Sequence, residues 1–163
     1  VKTIILAMLL IVSISSSAIA SPDTLVITLN KSSLDSDGKY VEDSLYVDSL
    51  IKESIKNKIN ILSPESYTKR FSDYHITDLS VAERNDIVLA LRDSSVKYVI
   101  VSSLHEVFSQ YVEIHCRVID VKNNKYLLNR SDREMGGAWA SRNTIRKAIV
   151  PIKTEMDNLI FED

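Results

Sequence analysis

Apolar and polar positions change rhythm several times along this chain. The first pattern is an unbroken apolar run, Ile4 to Val12, preceded by Lys2. Small polar residues Ser13 to Ser17 follow it, and Ala18-Ile19-Ala20 closes the segment. A charge, an apolar stretch well short of the ~20 residues a membrane-spanning helix needs, and an A-x-A end are the marks of a secretory signal peptide. The expectation is export with cleavage after Ala20, which makes residues 1–20 the signal peptide and 21–163 a single domain.

Beyond that point the rhythm predicts strands and helices in turn. Leu25 to Leu29 is a nearly continuous β-forming run, suited to a strand covered on both faces. Asp35-Ser36-Asp37-Gly38 is turn chemistry. Val47, Leu50, Ile51, Ile55 and Ile59 recur at three- and four-residue spacing and predict a helix from about Val41 to Lys58. A short extended piece, Asn60 to Leu62, precedes Ser63-Pro64-Glu65, which reads as the start of a brief helix ending by Ser72. Ser80-Val81-Ala82-Glu83 fits a capping box opening a helix through about Asp93, with Val81, Val88 and Leu91 inward.

The second half is mostly extended. Lys97 to Leu104 reads as another buried strand around Tyr98-Val99-Ile100-Val101. From Tyr111 to Asp120 the pattern alternates, with Val112, Ile114, Cys116 and Val118 on one face and Tyr111, Glu113, His115 and Arg117 on the other. Lys122-Asn123-Asn124-Lys125 predicts a tight hairpin, returning as a strand from Tyr126 to about Arg133. Met135 to Ala140 is a glycine-hinged bridge carrying Trp139. Ser141 is placed to cap a last helix striped by Ile145, Ile149, Ile152, Met156 and Ile160, with Pro151 expected to kink or split it near Val150. The fold class is therefore α/β of the mixed α+β kind. Its order is β-α-β-α-β-β-β-α, a mixed sheet packed by helices, parallel early and antiparallel late.

Composition narrows the function classes. Taking 20 residues from 163 leaves 143, enough for one core without disulfides. Cys116 is the only cysteine, so no internal disulfide can form. The formal net charge is −2, becoming −3 without Lys2, and no basic tract suits a nucleic acid. Ser21 follows Ala20, where a lipoprotein would carry its acylated cysteine, so neither a lipid anchor nor a second membrane segment is expected.

Local sequences in the second half resemble the TolB amino-terminal-domain-like fold. That fold is shared with the curli-secretion lipoprotein, lipoprotein activators of penicillin-binding proteins and a flagellar T-ring protein. The residues carrying the resemblance are Ser95 to Leu104, Tyr111 to Val121, and Asn123 to Leu128, with Leu25 to Leu29 and the helix from Val41 fitting the opening. Ser102 and Asn124 stand where the family has glycines. The resemblance implies a non-catalytic domain of the cell envelope that works in the periplasm by contact with another protein.

Candidate chemistry is sparse. His115 and Cys116 are sequence neighbours on a strand, so they point to opposite faces and cannot form a dyad. Cys116 shares the apolar face and is expected in the core. His75, His105 and His115 lack the spacing of a zinc motif. Aligning Gly38 with the glycine of a calcium loop leaves Ser44 where a bidentate glutamate belongs. No phosphate-loop or nucleophile-elbow motif occurs, and no cofactor or metal is expected. Tyr111, His115, Arg117 and Trp139 are the candidate partner contacts, because tyrosine, arginine and tryptophan anchor protein interfaces; the alternative is that a helix of this chain covers the row and Trp139 packs into the core. The alternative is a small periplasmic hydrolase or a ligand or metal carrier, using His75 or His105 with a carboxylate and a hydroxyl in one cleft.

Overall fold

The computed structural model describes residues 23–29, 39–107, 111–136 and 142–161. The expected signal peptide, the turn expected at Asp35–Gly38, Trp139 and Ser141 lie outside the described residues. The strands are β1 (Asp23–Leu29), β2 (Asn60–Leu62), β3 (Val96–Val107), β4 (Tyr111–Asp120) and β5 (Lys125–Met135). The helices are α1 (Lys39–Ile55), α2 (Thr68–Asp73), α3 (Arg84–Leu91) and α4 (Arg142–Asn158). A 3-10 turn, Pro64–Tyr67, leads into α2. The sheet order is β2-β1-β3-β4-β5.

Connection length sets the strand directions. Helical crossovers precede β2 and β3, and both strands run parallel to β1. Short connections join β3 to β4 and β4 to β5, and both pairs are antiparallel. At the second hairpin Asn124 takes a positive φ of 49°, a conformation asparagine tolerates better than most residues. The register slips between Val118 and Ile119, where Leu127 is the extra residue of a bulge.

Two apolar layers flank the sheet. On one face Val26, Ile100, Leu104, Ile114, Cys116 and Val118 pack against α1 and α4. On the other Leu25, Ile27, Val99, Val101 and Ile119 pack against α2 and α3, through Phe71, Ile87, Val88 and Leu91. Lys58 ties the ends of α1 and α4 together. Its ammonium donates to the carbonyls of Met156 and Asp157, at 3.3 and 2.7 Å, satisfying acceptors that the end of α4 leaves without helical partners.

Some local expectations yield to tertiary packing. α4 runs unbroken through Pro151. Proline inside a helix costs about 3 kcal/mol, whereas each fully buried isoleucine contributes about 1.5–3 kcal/mol. Ile145, Ile149, Ile152 and Met156 are all buried on one stripe, so their packing outweighs the lost hydrogen bond. Ile160, expected on that stripe, lies past the helix end and is 81% exposed. The capping box at Ser80 does not form. α3 begins at Arg84, and Ser80 instead donates through its amide and hydroxyl to Asp78. Val81 is accordingly exposed, not inward.

Candidate functional site

The α2–α3 layer covers only part of its sheet face. α3 and the turn at 78–83 sit over the end of β4 that carries Ile119 and Arg117. No described helix covers the rest of β4 and its neighbours on β3 and β5, and among the described residues this face is open. Register places side chains there in cross-strand rows. His105, Glu113 and Arg133 make one, and Ser103, His115 and Ser131 make the next. Tyr111 and Met135 are opposed at the outer end. Alternation alone puts these residues on one face, since every second side chain of a strand points the same way.

The open face is held by its own polar contacts. The Ser131 hydroxyl donates to Glu113 at 2.5 Å, and the Arg133 guanidinium donates to the other carboxylate oxygen at 3.1 Å. The Arg133 guanidinium also lies 3.9 Å from the centre of the Tyr111 ring, a close cation–π geometry. His115 Nε2 is 2.9 Å from Asn129 Oδ1, so that nitrogen carries the proton and donates. The Ser131 hydrogen bond, with Arg133 and His105 adding to it, outweighs partial burial and holds Glu113 below its ordinary 4.5. Its carboxylate is therefore charged at neutral pH and fixed in place.

Arg117 belongs to the same row in sequence but not to the same surface. It is buried, 7% exposed, beneath the turn preceding α3. Its guanidinium donates to the carbonyls of Leu79, Ser80 and Ala82, the latter two at 3.2 and 2.9 Å. Those carbonyls explain the missing capping box: the turn is shaped around a guanidinium. Trp139, the remaining candidate contact, lies outside the described residues.

On this face Ser131 and His105 both neighbour the Glu113 carboxylate. Ser131 is next to Glu113, yet a carboxylate with a lowered pKa is a weak base for a hydroxyl. His105, itself exposed, stands opposite Glu113 on β3. His75 is elsewhere, exposed in the turn after α2 with a φ of 58°. A groove of about 500 Å³ lies between α1 and the β2 edge, and another of about 480 Å³ lies between α1 and α4; neither is lined by a histidine. Cys116 is fully buried, and burial pushes its thiol up to about 12, where no reactive thiolate forms at neutral pH. Among the described residues no group of three or more His, Cys, Asp or Glu side chains is placed to hold a metal ion. No described helix is long and apolar enough to cross a membrane.

Sequence reasoning found Tyr111, His115 and their face but missed the β5 half of it. Counting outward from the hairpin would have set Arg130 and Asp132 beside His115 and Glu113; the extra residue at Leu127 shifts the register by one and brings Ser131 and Arg133 there instead. The charges of Asp132-Arg133-Glu134 read instead as a solvated run.

No family model matches the sequence, and no curated protein matches it. Solved structures do. The lipoprotein GNA1162 from Neisseria meningitidis is similar at 13% identity and a TM-score of 0.51, covering 86% of this chain and 99% of that one. The LpoB C-terminal domain from Escherichia coli aligns at 14% identity and TM-score 0.49, covering 72% of this chain and 84% of that one. TolB from Acinetobacter baumannii aligns at 16% identity and TM-score 0.46, covering 83% of this chain and 27% of that one. The likeness is one of fold. The chain shares with GNA1162 a fold of the kind that its local sequences resemble.

Proposed function

We propose that this chain is an exported, non-catalytic accessory domain of the cell envelope that binds another envelope protein in the periplasm. The open face of β3, β4 and β5 is the contact surface. The observation carrying this reading is the preorganised set of Tyr111, Glu113, His115 and Arg133 on a sheet face that the described helices leave uncovered at that end. Side chains already held in one geometry lose little freedom on binding. Tyrosine and arginine are the residues that most often anchor interfaces. Export is supported by the apolar leader of the sequence, and an envelope setting by the lipoprotein of similar fold. Trp139, a few residues beyond β5, is assigned to the same contact.

Photo-crosslinking in the native envelope tests this. A crosslinking residue at Tyr111 or Arg133 is expected to capture the same partner, and one at Leu89 on α3 is not. Substituting Tyr111→Ala, His115→Ala and Arg133→Ala together should abolish recovery while the circular dichroism spectrum is retained. Undiminished recovery from the triple variant would falsify this surface.

A further inference from the structure

β5 is an outer strand of the sheet, and no described strand pairs with its outer edge. It is 11 residues long, with charges of both signs from Arg130 to Glu134. From this edge we propose that two copies of the chain pair through β5, antiparallel, about a two-fold axis centred on Ser131. This edge borders the open face assigned to a partner protein and shares Arg133 with it, but the proposal stands without that reading.

The register follows from geometry and charge. A two-fold axis perpendicular to the sheet leaves every side chain on its own face, so opposed residues must share a face. The axis therefore passes through a residue and not between two. Centring on Arg130, Asp132 or Arg133 sets that charged residue against its own copy. Centring on Asn129 sets Lys125 against Arg133. Centring on Leu128 opposes no unlike charges and draws the Leu127 bulge into the ladder.

Ser131 is the one centre that opposes unlike charges with no like pair. Arg130 then faces the partner's Asp132, and this pair occurs twice by symmetry. Asn129 faces the partner's Arg133, and the paired stretch from Leu128 to Glu134 leaves the Leu127 bulge outside the ladder. Charged edges ordinarily keep strands apart, but a self-complementary charge order converts that protection into selection of one register. The side chains are already in position. Arg130 contacts both Asp132 and Glu155 of α4, and this network holds it on the α4 side of the strand. Pairing would join the two sheets into one and set two open faces side by side.

Sedimentation of the purified full-length chain should show a dimer. A cysteine scan then reads the register. Residues opposed at the axis have Cα atoms about 4.5–5.5 Å apart, within disulfide reach. Cysteines placed at 132 or 133 would be displaced along the strand by about 7 Å or more and could not link. Ser131→Cys is expected to yield a covalent dimer under mild oxidation, whereas Asp132→Cys and Arg133→Cys are not. Native Cys116 is fully buried and does not compete. Asp132→Arg opposes arginine to arginine and Arg130→Asp opposes aspartate to aspartate, so each variant alone should be monomeric. An equal mixture should restore the dimer, because every opposed pair is again unlike. A monomeric parent chain, linkage peaking at 132 or 133, or a mixture that stays monomeric would each overturn the proposal. Partner capture through Tyr111 is a separate measurement, so the two readings fail independently.

Discussion

A single residue, Arg117, shows how far sequence and surface can part. Alternation places it beside Tyr111 and His115 on one face of β4. The turn from Leu79 to Ala82 closes over it, and its guanidinium becomes a buried structural centre donating to carbonyls of that turn. A charge in such a place is tolerated only when its donors are satisfied. Arg117→Ala is expected to lower stability by about 2–4 kcal/mol, because it strands those carbonyls and opens a void. Arg117→Lys should recover only part of this, since one ammonium cannot span the planar fork of donors. Urea denaturation of the two variants checks both statements; unchanged midpoints would mean the turn does not depend on the guanidinium. Cys116, the next residue back, was legible without coordinates. It shares the strand's apolar face and is fully buried, and strand alternation keeps it apart from His115.

At the scale of elements, hydrophobic period was a good guide to existence and a poorer one to ends. The stripes of α1 and α4 and the alternation of β4 lie where their spacing placed them. The expected start of α3 moved from Ser80 to Arg84 because Arg117 and Asp78 claim the turn's polar groups first. Pro151 is the other instance. Local propensity predicts a kink or a split, while the buried stripe on both sides keeps α4 one continuous helix through it. Pro151→Ala restores the amide donor toward the Lys147 carbonyl and relieves the ring's clash with the preceding turn. It should therefore stabilise the domain, by up to about 3 kcal/mol, seen as a higher denaturation midpoint. A lower midpoint would show that the proline ring itself fills space the core requires.

For the whole molecule, the two apolar layers are physically distinct yet share β1, β3 and β4, whose side chains feed both. Ile149→Ala in the α1–α4 layer and Leu91→Ala in the α2–α3 layer are each expected to cost about 2–5 kcal/mol. Both variants should still unfold in one transition, because neither layer can be lost without uncovering the shared strands. Two transitions by circular dichroism and tryptophan fluorescence would show the layers to be independent units. The sequence by itself determined the α/β class, the order of strands and helices, the switch from parallel to antiparallel pairing and the lack of a reactive motif. Those properties depend on period, loop length and residue type, all of which are local. Tertiary structure alone decided how much of the second sheet face the described helices cover, that Arg117 lies beneath the covering turn and Tyr111 does not, and that β5 forms an outer edge of the described sheet. Coverage and edge position depend on how far a helix layer reaches across a sheet, a distance that no local pattern encodes.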